Sequence, residues 1–238
     1  MSTFNGKQMS NLARHVIVFS FVWSLILSTD RYSVSMWGIP VATVELSGID
    51  STYQNVPARY VTFSSETTAL TSAIFKVENH YTLWVEPENY RILFFNKKTI
   101  QPGVENLIST EILNGTVFYT GTQIHIPSET FTIFSLLDYI RFHRFDQPFK
   151  CLLEREGQIF PSSLKPESIN ENVVRYQLEI DINFPQENSP IIEHTDIFTW
   201  AVYKDGVSRY IEVNYDSHQI ESCVFTSGII RLTAKLDQ

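Results

Sequence analysis

Apolar and polar residues alternate at period two along most of this chain, the pattern of strands with one buried face. Tyr32, Val34 and Met36 fall on one side of an extended segment, with Ser33 and Ser35 on the other. Gly38 and Pro40 interrupt, and Val41 to Leu46 resumes the pattern, which predicts two strands joined by a tight bend or bulge at Gly38. The same reading gives strands over 59–64, 81–85, 90–96, 107–113 and 116–126. In the second half it gives 149–154, 173–184, 198–204, 208–215, 222–225 and 228–236. Asn114-Gly115 and Asp205-Gly206 supply the positive φ of hairpin turns, so the order is an antiparallel meander without βαβ units. Asn114-Gly115-Thr116 is also a glycosylation acceptor by pattern, and is read as a turn.

Two segments break the alternation. Residues 67–75 read as a short helix, with Ala69, Ser72 and Ala73 on one side. In 131–143, Ile133, Leu136, Leu137 and Ile140 take helical spacing behind Ser128 or Thr130 as N-cap. Residues 160–172, with Pro161, Pro166 and several Ser and Asn, read as a loop. Similar strand patterns on both sides of it favour one β-rich domain over residues 29–238. The expected fold is mainly β: a strongly curved antiparallel sheet or partly open barrel with one packed helix.

The first 28 residues differ from all of this. Lys7 and Arg14 precede an apolar run from Val16 to Leu27 broken only by Ser20 and Ser24, and no acid occurs before Asp30. This is the layout of a cleaved export signal, with Ile26-Leu27-Ser28 as the processing site. The run is short of the ~20 residues a membrane-spanning helix needs, so no stable span is expected after processing. The alternative is an uncleaved anchor. The expected localisation is the periplasm or outer cell envelope.

The chain carries 18 Lys and Arg against 26 Asp and Glu, a net charge of −8. Loss of Lys7 and Arg14 with the signal leaves 16 against 26, or −10. Neither nucleic acid nor an anionic bilayer surface suits such a protein. Apolar content of 43% excludes disorder and allows a sizeable core. The two cysteines, Cys151 and Cys223, either pair in an oxidising compartment or act as separate buried apolar groups. Spacing does not choose between them.

Catalytic motifs are absent. No Gly-x-Ser-x-Gly elbow occurs, and Thr226-Ser227-Gly228 lacks the first glycine. The nine glycines are scattered, so no phosphate-binding loop is formed. No His pair has the spacing of metal ligands on one helix face, and Glu193-His194-Thr195-Asp196 reads as a surface run, so no metal site is expected. The carboxylate pairs Glu154/Glu156 and Glu179/Asp181 each share a strand face and are expected to be solvated. No cofactor is expected either. A site assembled from distant residues would first be sought at Asp138, His143 and Asp146. His143 otherwise reads as a favourable charge at a helix end.

Aromatic residues, 13% of the chain, fall mostly in strands or on the long helix. Most read as core. A curved sheet can also leave part of its lining as an apolar cleft, for which Trp37, Trp84, Phe95 and Tyr139 are the candidate ligand-binding residues. Arg141, with Arg144 and Lys150, would meet an acidic headgroup, or these are ordinary surface charges.

Several of these stretches resemble a known family. Tyr32-x-Val-x-Met-Trp-Gly-Ile-Pro-Val-Ala42 is similar to the opening strand pair of the exported bacterial proteins classed as domain of unknown function 3108. Ser72-Ala-Ile-Phe-Lys-Val-Glu-Asn-His-Tyr81 resembles the end of that family's short helix and its next strand. His125-Ile-Pro127 with Ser135-Leu-Leu-Asp-Tyr-Ile-Arg141 resembles its central helix, and 198–236 its closing strands, with Trp200, Asp205-Gly206 and Gly228 in order. The chain departs from the family pattern at Tyr210-Ile211, where Pro-Val would follow the turn. The resemblance implies an exported β-rich protein with no established activity, and so carries over no functional residues. A sheet curled round a helix, as in lipoprotein carriers, is an analogy of fold. The leading expectation is non-catalytic binding of an apolar or lipid-like ligand in the cell envelope. The alternative is a structural or assembly role, recruiting an envelope protein through a sheet edge.

Overall fold

The computed structural model describes residues 29–237, so the export segment 1–28 lies outside the described residues. Fifteen strands form one sheet: β1 (Thr29–Met36), β2 (Ile39–Tyr53), β3 (Val56–Thr67), β4 (Glu78–Val85), β5 (Ile92–Gln101), β6 (Val104–Leu113), β7 (Thr116–Tyr119), β8 (His125–Ile126), β9 (Thr130–Phe131), β10 (Phe149–Arg155), β11 (Gln158–Ile169), β12 (Val173–Ile180), β13 (Ser208–Asn214), β14 (Gln219–Ser227) and β15 (Ile230–Leu236). Three helices occur among the described residues: α1 (Ala69–Ser72), α2 (Ile133–Phe142) and α3 (Ile197–Tyr203). None is long and apolar enough to cross a membrane.

The strand order is β8-β7-β6-β5-β4-β3-β2-β1-β15-β14-β13-β12-β11-β10-β9. The first and last strands therefore pair in the middle of the sheet, Tyr32 opposite Leu236 and Met36 opposite Leu232. Every step is antiparallel except β9 on β10. The two sheet edges, β8 and β9, are separated by only three residues of chain. At ~3.5 Å per residue they cannot lie more than about 14 Å apart, so the sheet is bent round into a nearly closed barrel.

The hairpin turns follow local chemistry. Trp37 and Gly38 both take positive φ, 51° and 82°, and join β1 to β2 in a two-residue turn. Asn114-Gly115 does the same between β6 and β7. The stretch expected as one strand over 116–126 is in fact β7, a turn and β8.

Helix α2 threads the barrel. Ile133, Phe134, Leu136, Leu137, Ile140, Asp138 and Arg141 are all buried, the mark of a helix enclosed on every side. Its N-cap is Thr132, not Ser128 or Thr130: Thr132 Oγ1 accepts from Ser135 N while Ser135 Oγ accepts from Thr132 N, a reciprocal box.

Two further expectations are overturned. Residues 158–169 form a strand paired on both sides, not a loop. Pro166 sits beside a register shift before Ser168, where a missing N–H is tolerated. Residues 197–203 are helical although Phe, Thr, Trp, Val and Tyr favour strands. Asp196 Oδ1 accepts from Thr199 N at 2.9 Å and caps α3, and burial of Thr199, Val202 and Tyr203 outweighs propensity. The unusual Tyr210-Ile211 causes no slippage: Ile211 stays opposite Cys223 and fully buried.

Candidate functional site: an apolar cavity at the sheet seam

Where β1 meets β15 the inward residues are small. Thr67, Ala42, Val34, Ala234 and Cys223 form one row across β3, β2, β1, β15 and β14, each in register with the next. Rows above and below carry bulkier groups, Tyr32, Val44 and Leu46 on one side and Met36, Phe225 and Leu232 on the other. Alanine and cysteine cannot fill the distance to the helices, and a cavity of about 360 Å³ results. Leu137 of α2 closes it from inside. Ile197, Phe198, Ala201 and Val202 of α3 form its side, and Phe75 and Val77, which follow α1, lie along it. It runs from fully buried Val202 and Ile220 to exposed Ile197. The lining contains no Lys, Arg or His.

Both cysteines are free thiols. Cys151 on β10 and Cys223 on β14 stand four strands apart in the sheet, at ~4.8 Å per strand beyond bridging distance along it. Burial pushes each thiol up to about 12, so both stay protonated and unreactive at neutral pH.

Two buried ionic networks hold the walls. In the first, Lys97 of β5 lies almost fully buried against Glu156 and Asp196, the latter at 2.7 Å. It also donates to Thr195 Oγ1 at 3.2 Å, which in turn donates to Glu156. The 181–196 connection is thereby tied across the barrel, and Gln101 Nε2 and Asn106 Nδ2 hold the carbonyls of Thr195 and His194 beside it. Burial alone would raise the Asp196 pKa, but the Lys97 ammonium and Thr199 N–H hold it below the ordinary carboxylate value. In the second network, Asp138 of α2 accepts from Arg59, Tyr90 and Arg141, and Arg141 reaches Asp30 at 2.8 Å. The strand passes Asp138 so closely that a Cβ on Gly48 would fall 2.2 Å from Asp138 Oδ1.

Glu154 and Glu156 are therefore not a solvated pair. Glu154, next to the last residue of β10, is buried although its neighbour Leu153 is buried too, and Glu156, at positive φ in the turn, is buried as well. Glu154 Oε1 accepts from Tyr119 OH and, at 2.9 Å, from Gly157 N. Desolvation nevertheless lifts its pKa from 4.5 to about 7. Below pH 4.5 Glu154 is neutral both folded and unfolded. Between 4.5 and 7 the unfolded chain releases this proton while the fold retains it, so the folded state loses stability as pH rises and levels off above 7. Glu154→Gln is expected to abolish a fall of about 3 kcal/mol across that window, estimated at ~1.4 kcal/mol per unit. Urea midpoints at stepped pH read this directly. A wild-type profile flat from pH 4.5 to 7 would refute it.

The sequence-predicted binding residues are not brought together. Trp37 is an exposed turn residue whose Nε1 donates to Ile229 O at 2.9 Å. Trp84 faces outward between buried Leu83 and Val85, its ring 4.6 Å from Tyr60 and 5.6 Å from Tyr53. Phe95 is buried beside Tyr119, at a second hollow of about 20 Å³. Tyr139 stacks on His143 at 3.9 Å. Arg141 is corrected from surface cation to core residue: its guanidinium is consumed by Asp30, Asp138 and the His218 carbonyl. None of the five lines the 360 Å³ cavity.

Nor do Asp138, His143 and Asp146 converge. Asp138 is saturated by arginines, His143 Nδ1 lies 2.9 Å from the Tyr139 carbonyl, and Asp146 pairs with Arg144 at the surface. Among the described residues no three His, Cys, Asp or Glu side chains are grouped as metal ligands. What sequence reading missed were Ala42, Ala234 and Cys223. Alanine is depleted in strands, so inward alanines among Val and Leu are a signal, but only register reveals that they align.

The chain's fold is found elsewhere. A solved beta-barrel-like protein of domain of unknown function 1849, from Brucella abortus, is similar at a TM-score of 0.51 and 7% identity. The similarity covers 88% of this chain and 95% of that one. It establishes a β-barrel-like fold. No family model matches the chain, so membership in domain of unknown function 3108 is not confirmed. No curated protein matches it either.

Proposed function

We propose that this protein is an exported, non-catalytic binding protein of the cell envelope, which holds an apolar, lipid-like molecule in the cavity at the β1–β15 seam. The observation that carries the reading is a 360 Å³ hollow walled by Val34, Ala42, Phe63, Leu137, Phe198, Ala234 and their neighbours. Its size falls in the ~300–1,000 Å³ range of small-molecule sites. Water finds few hydrogen-bond partners against such an apolar lining, so an apolar occupant is favoured over it. The basic and then apolar layout of residues 1–28 supports export. The edge-recruitment reading has weaker support, because β8 and β9 are two residues each and offer little template for an added strand.

Native mass spectrometry of the protein isolated from its own cells tests this. An added mass that disappears on denaturation is expected. Ala234→Phe, which places a ring in the row of small residues, is expected to lose the added mass while the thermal midpoint stays equal or rises. A bare wild-type mass would sink the reading.

A further inference from the structure

Eight of the fourteen large apolar side chains exposed among the described residues fall in four short segments. Trp37 and Ile39 belong to the β1–β2 turn, and Ile229 and Ile230 to the tip between β14 and β15. Leu70 and Ile74 lie on and just after α1, and Ile197 and Trp200 on α3. The fold gathers these segments at one end of the barrel. Trp37 Nε1 donates to Ile229 O at 2.9 Å and ties the two hairpin tips together. Thr68 N donates to the Val41 carbonyl at 3.0 Å, which holds α1 against β2, and the Phe198 ring of α3 lies 6.5 Å from that of Phe225 on β14.

The cavity opens at this end. Met36, Phe75, Ala201 and Leu232, one from each segment, line it, so the exposed side chains beside them form a rim round its mouth. Single exposed apolar residues are ordinary, but a group of this size marks a contact site. Ile74 and Ile229 are 88% and 87% exposed, so the isolated fold gains almost nothing from them.

Charge identifies what the rim meets. Segments 36–41, 67–77, 197–204 and 226–234 hold Lys76, Lys204 and Arg231 but no Asp or Glu, in a chain with a surplus of eight acids. Acids stand only at their borders: Glu66, Glu78 paired with Lys76 at 3.2 Å, buried Asp196, and Asp205. Lys204 Nζ sits 4.7 Å over the Trp200 ring, an apolar body with a cation at its end. Tryptophan and isoleucine beside cations on apolar stems match the boundary between acyl chains and headgroup phosphates. A second copy meeting this face head-on would instead set cation against cation, with no acid from the segments between them. The overall acid surplus gives no long-range pull towards a membrane, so apolar insertion carries the contact and the cations meet phosphates at short range.

We propose that this end of the barrel docks on a phospholipid bilayer, with Trp37, Ile74, Trp200 and Ile229 inserted at the headgroup boundary and the cavity mouth facing the acyl chains. This rests on the cavity reading above and adds a route: an insoluble ligand passes between membrane and cavity without crossing water.

Flotation of the protein purified from its own cells with phosphatidylcholine vesicles tests the docking, and native mass spectrometry of the same sample reports the cavity. The protein is expected to float with the vesicles. Ile74→Asp with Ile229→Asp should weaken that binding at least about tenfold, since two apolar side chains are withdrawn from the bilayer. Both sites are exposed and outside the cavity lining, so the thermal midpoint and the added mass should not change. In single-tryptophan variants, bromine on the acyl chains should quench Trp37 and Trp200 but not Trp84, which lies six residues, or ~20 Å, along β4 from Glu78 at the rim. Binding that survives the paired substitution, or quenching of Trp84 alone, overturns the inference. So does a protein that ignores vesicles but forms a dimer that the paired substitution dissolves, which would assign the face to a second copy. A protein that keeps its added mass yet stays off the vesicles ends this inference and leaves the cavity reading standing. Rim-dependent flotation with no added mass refutes the cavity reading and keeps the docking surface.

Discussion

Lys97→Met is expected to destabilise the protein by about 3–5 kcal/mol, the usual cost of removing one partner from a buried ion pair. The methionine fills most of the space, so the loss is electrostatic. Glu156 and Asp196 would face each other's side of the same site with no cation between them, and both are buried. The effect should extend to ligand binding. Asp196 caps α3, and Ile197, Phe198, Ala201 and Val202 of that helix form one side of the cavity. Loosening the cap displaces that side. The penalty should shrink in acid, because Asp196, held low in the native protein, takes up a proton once Lys97 is gone. Stability contributed by a depressed carboxylate is present above its unfolded pKa and lost as pH falls through the folded value. Urea unfolding at pH 7 and pH 4 is the measurement. A shift of less than ~1 kcal/mol at pH 7 would mean the pair is no more valuable than a surface ion pair.

Asp138→Asn is expected to cost about 3 kcal/mol or more, despite being nearly isosteric. The Asp138 carboxylate receives four donors. Oδ2 accepts from Arg59 Nε and from Tyr90 OH at 2.8 Å, and Oδ1 accepts from Arg59 Nη2 at 3.0 Å and Arg141 Nη1 at 3.3 Å. An asparagine can turn only one oxygen to this group. Its NH2 would then point at donors, leaving Arg141 with Asp30 and Arg59 with only the surface Asp50 as a charged partner. Relaxation is limited, because the chain at Gly48 touches the same site and leaves no room for a shift. The thermal midpoint should fall. A midpoint within ~1 °C of the native protein would show that the amide is accommodated.

These two networks explain why the site was only partly legible. Asp138 and Arg141 sit three apart on a helix correctly expected over 131–143, which by itself reads as a surface pair. Only enclosure of α2 by the barrel turns them into core ions. Likewise Glu154 and Glu156 alternate as a solvated strand face should, but Tyr119 covers Glu154 and Lys97 reaches Glu156, so both are buried. Residues 197–203 carry strand-forming side chains, and the capping Asp196 was a weaker sign than their alternation. The expected binding aromatics failed for a related reason. Large rings fill space, and a cavity forms where they are missing.

The chain's own pattern determined the antiparallel strands, the Trp37-Gly38 and Asn114-Gly115 turns, the long helix and a β-rich, curved fold. These depend on side-chain period and on φ preferences within a few residues, which local sequence carries. Tertiary structure alone decided the closing of the sheet through β1 and β15, the burial of Lys97 and Asp138, and the cavity. Ala42, Val34, Ala234 and Cys223 come from both ends of the chain, and their alignment exists only once four strands pair in one register. A one-residue slip would turn each of them to the outer face and erase the site.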